Sequence, residues 1–168
     1  MSELKRISPE AIPSALEKAE RYRLLNEPAE AESICLDVLA IEPDNQKALV
    51  VLLLALTDQF QHGPVECFSQ AQAVVPRLQG EYERHYYSGI IWERRGHARL
   101  SQGGPGSGRV AQEWVRKAME FYEKAEAVRP AGNDDALLRW NTCVRLNLRH
   151  HLEPEAGGEE FQPALEDF

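Results

Sequence analysis

The stretch Ala31 to Pro43, AESICLDVLAIEP, constrains this chain more than any other, because its spacing recurs. Apolar residues fall at Ala31, Cys35 and Val38, and Pro43 follows. The segment AMEFYEKAEAVRP returns the cadence as Ala118, Tyr122, Ala125 and Pro130. A thinner copy, PVECFSQAQAVVP, carries Phe68, Ala71 and Pro76 in the same register. Each copy sets a packing residue, a small residue three positions on, and a proline five beyond that. A proline cannot continue a helix, so three helices end by one rule. Internal repetition of one unit points to a stacked architecture.

These spacings resemble the tetratricopeptide repeat (TPR), a helix–turn–helix unit of about 34 residues that stacks into a superhelix. The first copy covers residues 13–45, with Ala15, Ala19 and Tyr22 ahead of the Ala31 cadence. The second covers 46–79, with Leu49, Leu52, Leu53 and Leu56, then Phe68, Ala71 and Pro76. In the third, 80–132, Gly89, Trp92 and Gly96 keep the family's Gly-x-x-aromatic-x-x-x-Gly spacing. Two departures stand out: Val38 replaces a usual alanine, and about 17 extra residues interrupt the third copy. The resemblance implies an all-α fold, an α-solenoid of about three repeats over residues 12–151, closed by a capping helix at 133–151. A polar lead-in, 1–11, precedes it, and an acidic tail, 152–168, follows.

Charge divides the chain along the same lines. The net charge is −8, yet Leu152 to Phe168 holds six acids and neither lysine nor arginine. The remainder carries 21 acids and 19 bases, close to neutrality. Nothing builds a basic stripe for phosphates, so nucleic acid is not an expected partner. The longest apolar run, Ala48 to Leu56, is half the length a membrane helix needs, and no membrane partner is expected. The start, MSELKRISPE, lacks the apolar region of a signal peptide. Three cysteines, Cys35, Cys67 and Cys143, sit inside helical patterns, which suits reduced thiols and a cytoplasmic location. The tail, rich in glutamate, glycine and proline, reads as disordered.

Helices are predicted from Pro13, over Ala29–Ile41, Gln46–Asp58, Val65–Val75, Glu81–Leu100, Val110–Val128, and from Asn133 or Asp134 to His150. Gly89 inside the fifth is read as a site of close helix approach, since glycine there costs about 1 kcal/mol against alanine. The stretch Gln102 to Arg109, QGGPGSGR, reads as a flexible insertion. It is no nucleotide cradle: no lysine precedes a hydroxyl, and no strand leads into it. The five histidines form no i, i+4 pair, and no CxxC or HExxH occurs. Neither catalytic residues, metal nor cofactor is expected, and the chain is read as a non-enzyme.

The expectation that remains is recognition of a protein or peptide, probed along the first helices of successive repeats. In the resembling family these line a concave groove. Carried over, the groove residues are Leu16, Glu20, Val50, Val51, Leu54, Tyr86, Tyr87, Ile90, Arg94, Leu137, Leu138 and Asn141. Apolar and aromatic residues outside the repeat cadence are what a peptide groove requires, and they favour an apolar segment. The competing reading buries Val50, Val51, Leu54 and Ile90 in the core. The five places where related repeats grip a chaperone's terminal carboxylate hold Leu16, Glu20, Val51, Glu83 and Tyr87, so no cation remains for that task. Two further readings stay open. The tail, with Phe161, Pro163, Leu165 and Phe168 among its acids, suggests a self-associating homo-oligomer or a tail-autoinhibited scaffold. The size of the chain also resembles small cytoplasmic secretion-type chaperones.

Overall fold

The structure, a computed structural model, describes residues 1–152. The acidic tail expected at 152–168 therefore lies, from residue 153 on, outside the described residues. Among the described residues seven α-helices follow one another: α1 (Ile12–Leu24), α2 (Pro28–Leu39), α3 (Gln46–Asp58), α4 (Cys67–Val74), α5 (Glu81–Gln102), α6 (Ser107–Ala127) and α7 (Asp135–His150). Short 3-10 turns, Pro9–Ala11 and Val75–Arg77, precede α1 and extend α4. Among these residues there is no strand, and no helix is long and apolar enough to cross a membrane. The all-α expectation holds.

Local chemistry explains several of the helix ends. Proline occupies the first turn of α1 and α2, where its missing N–H has no helical partner to lose. Asn45 caps α3 by accepting from the Ala48 amide at 2.9 Å. The predicted insertion at 102–109 is shorter than its composition suggests. The α5 helix runs to Gln102 and α6 begins at Ser107, so only residues 103–106 join them. Gly103 and Gly106 take φ of 68° and 72°, a left-handed conformation that glycine adopts without a steric cost, which makes so tight a reversal possible.

Each helix packs on the one before it, and α1 also touches α3, as α3 touches α5. The longest shared surface is between α5 and α6. Two clusters make the core. One gathers α1 to α4 with Leu78 and Ile91; the other gathers α5, α6 and α7 around Tyr122. Leu54 and Tyr87 pack against both and join them. The repeated cadence supplies much of this interior: Ala31, Cys35, Val38, Ala71, Ala118, Tyr122 and Ala125 are all buried, with Phe68 partly so.

The α5–α6 interface shows why its glycines are there. A β-carbon on Gly89 would fall within 2.7 Å of Tyr122 Cδ1, and one on Gly96 within 2.8 Å of Val115 Cγ2. Neither ring nor methyl has room to give in a close-packed interior. The two glycines let α6 lie against α5 over its length.

Candidate functional site

A row of charged side chains crosses α1, α3, α5 and α7, and it begins with one carboxylate. Asp58, the last residue of α3, accepts from Arg23 Nε of α1 at 2.7 Å and from Arg23 Nη2 at 3.3 Å. Its Oδ1, which takes the second Arg23 contact, also accepts from Arg94 Nη1 of α5. The same guanidinium nitrogen lies 2.8 Å from Thr57 Oγ1. One acid thus ties three helices that are neighbours in space but distant in sequence. A paired, hydrogen-bonded carboxylate of this kind resists removal of either partner more than a surface ion pair does.

Glu93, one residue before Arg94, is turned about 100° from it around α5 and lines the same cleft from its buried side. It is 2% exposed, and its Oε2 accepts from the Tyr122 hydroxyl at 2.5 Å. Its Oε1 faces Arg139 Nη1 of α7 at 3.5 Å and His97 Nε2 at 3.7 Å. Burial works to raise the carboxyl's pKa, but His97, Arg139 and the Tyr122 hydroxyl together outweigh it and hold Glu93 below the usual glutamate range. The cost of that arrangement falls on Tyr122, whose own pKa is driven well up by burial and by the neighbouring carboxylate. For Arg94, burial outweighs Asp58 and lowers its pKa.

Between α3 and α7, over α5, these groups leave an open cleft of about 330 Å³. Asp58, Glu93, Arg94, His97 and Arg139 line it. Both acids already satisfy cations, so what the cleft offers a ligand is the outer N–H edges of its arginines and the imidazole of His97. Such an array suits carboxylate or carbonyl oxygens. The cysteines take no part: all three are buried and free, and burial pushes the Cys35 thiol up to about 12 and raises the other two. Among the described residues no cluster of His, Cys, Asp or Glu has the makings of a metal site.

The groove residues expected from sequence are sorted by the packing. Leu16, Val51 and Ile90 are 5%, 3% and 1% exposed, so they are core and offer no binding surface, which corrects the expectation for these three. The reason is enclosure. The α3 helix is flanked by α1, α2, α4 and α5, which leaves Val50 and Leu54 as its only partly open apolar residues, with Gln46, Lys47 and Asp58 open at its ends. Tyr86, Tyr87 and Leu137 are half-buried, while Glu20, Leu138 and Asn141 are exposed. Tyr86 stacks on Tyr82 at 5.6 Å and meets Tyr87 edge-on at 5.1 Å, forming an aromatic strip along α5. Glu20 pairs with Lys47 across α1 and α3 at 3.4 Å, and Arg94 is held by Asp58.

Asp58, Thr57, His97 and Arg139 were not among the residues expected at the site. One signal did exist for Asp58: it ends an otherwise uncharged apolar run. Arg139 between Leu138 and Trp140 carries no such mark. Comparison with protein-family models, with curated proteins and with solved structures finds no match.

Proposed function

We propose that this chain is a non-enzymatic interaction module of about three stacked tetratricopeptide-like repeats with α7 as the closing helix, working in the cytoplasm. It binds a protein segment along the face made by α1, α3, α5 and α7. The observation that supports this reading most is the composition of that face. Partly open Val50 and Leu54 and the Tyr86–Tyr87 strip adjoin the charged cleft lined by Arg94, His97 and Arg139. A segment laid there meets apolar contacts at one end and N–H donors at the other, so it is mixed in character rather than purely apolar.

The test is binding of captured, crosslink-mapped partners to the full chain and to the variant L54A/Y87A. The expected result is crosslinks on α3, α5 and α7 with affinity lost in the variant, and, because Leu54 and Tyr87 also join the two core clusters, with affinity weakened too in H97A, whose side chain is exposed. Crosslinks on the opposite face, or full affinity in a folded variant, would overturn it.

A second reading, self-association, is favoured by α7. Leu137, Asn141, Val144 and Leu148 lie on one stripe of that helix, and Leu148 is well exposed. It predicts a dimer in sedimentation that L148E dissociates. A monomer at all concentrations would dispose of it.

A further inference from the structure

Next to the first cleft, and sharing Phe60, Gln61 and Ala98 with it, lies a second of about 300 Å³, lined by Arg95 where the first is lined by Arg94. Phe60, Val65, Phe68, Arg95, Arg99 and Trp114 line it, drawn from α4, α5, α6 and the turn after α3. Its centre is Arg95. The guanidinium carbon lies 3.6 Å from the Phe68 ring centre and 4.2 Å from that of Trp114. Aromatic faces hold such a cation in place but leave its N–H edge unsatisfied. Among the described residues no carboxylate pairs with it, unlike Arg23, Arg94, Arg129 and Arg139. Burial alone acts on its pKa, lowering it. Arg99 beside it donates to the Gly103 carbonyl at 3.0 Å and likewise has no acid partner among these residues. No Asp or Glu of the described chain lines the cleft. A partly desolvated, uncompensated arginine among aromatic rings fits a ligand that brings a carboxylate next to an apolar side chain.

The chain itself carries such a ligand twice, as Glu159-Glu160-Phe161 and as Glu166-Asp167-Phe168. We propose that the segment 159–168 of the same chain occupies this cleft, with a phenylalanine against Phe60, Val65 and Trp114 and its preceding acids on Arg95 and Arg99. Reach is ample. Leu152, the last described residue, is buried with its Cδ2 3.5 Å from where a Gly108 β-carbon would stand, in the first turn of α6. Trp114 lies about 9 Å further along the same helix. The nine residues from Leu152 to Phe161 span up to about 30 Å when extended. The acids of residues 153–168 have no lysine or arginine among them to compete for the pairing.

Hydrogen exchange read by mass spectrometry on the full chain tests this. The expected result is that peptides covering 159–168 exchange roughly tenfold more slowly than the same peptide free in solution. That protection is lost in F161S/F168S, which leaves the helical body's sequence intact, and in R99E. Exchange at the free-peptide rate in the native chain would overturn the proposal, as would protection that survives F161S/F168S. Protection that grows with protein concentration would also overturn it, by assigning the cleft to the tail of a second copy.

Discussion

The hydroxyl of Tyr122 donates to Glu93 Oε2 across 2.5 Å, joining α6 to α5 where both side chains are closed to solvent. This contact shares Tyr122 with the helix packing, because the same ring fills the space beside Gly89. Replacing Tyr122 by phenylalanine keeps the ring and removes only the donor. The buried carboxylate then loses its shortest hydrogen bond, at a cost of about 1–3 kcal/mol. Urea unfolding of Y122F should show that loss with helical content unchanged. Equal stability would mean that Arg139 and His97 suffice to hold Glu93.

Acidification should act through the same group. The folded Glu93 carboxyl has a pKa below 4.5, its ordinary value, so the unfolded chain takes up its proton first. Its stabilising contribution is therefore complete above the ordinary value and fades as pH falls through the lowered one. Arg139, His97 and Tyr122 face it from three helices or turns of helix, and removing its charge weakens all three contacts. Denaturation curves should show native stability dropping more steeply than that of E93Q as pH falls below the ordinary glutamate value of 4.5. Parallel curves would show that other carboxylates govern the acid limb.

Asp58 stands between two arginines, so its removal should cost more than the removal of either. D58A leaves Arg23 and Arg94 facing each other, both partly buried, without their shared acid. The expected loss is about 2–4 kcal/mol, against about 1–2 for R23A, and the R23A and R94A effects should not add. Thermal unfolding of the three single variants and the double arginine variant measures this. Additive losses would show that the arginines act on separate partners.

Gly89 gives a test of close approach. Alanine at a helix interior normally gains about 1 kcal/mol over glycine. Here the new methyl would press on the Tyr122 ring, within 2.7 Å of Cδ1, and overpacking costs about 1–3 kcal/mol. G89A should therefore lower the melting temperature. A rise would mean that α6 can shift away at little cost.

Much of the interior was legible because it depends on local spacing. A residue at i, i+3 or i+4 on a helix shares a face with its neighbour wherever that helix ends up, so Cys35 with Val38 and Tyr122 with Ala125 could be recognised as packing pairs. The expected bounds of α3, Gln46–Asp58, match the structure, while the Asn45 cap was not among the expected features. The groove was less legible. Periodicity identifies an apolar face but does not say how many neighbours cover it, and Leu16, Val51 and Ile90 were placed on a surface that other helices enclose. The length of the α5–α6 connection was likewise overestimated, because glycine-rich composition marks where a chain can reverse and not how much of it stays out of the helices.

By itself, then, the sequence determined the helical order of this protein, the small residues that let its helices meet, and the charge contrast between the body and residues 153–168. Only the tertiary structure decided which charges meet. Arg23, Asp58 and Arg94 are separated by 35 and 36 positions, Tyr122 and Glu93 by 29, and Arg95 reaches Phe68 and Trp114 from a third helix. No local period links such positions. Their pairing follows from the crossing of helices, which is set by the summed packing of the whole core rather than by any one stretch of chain.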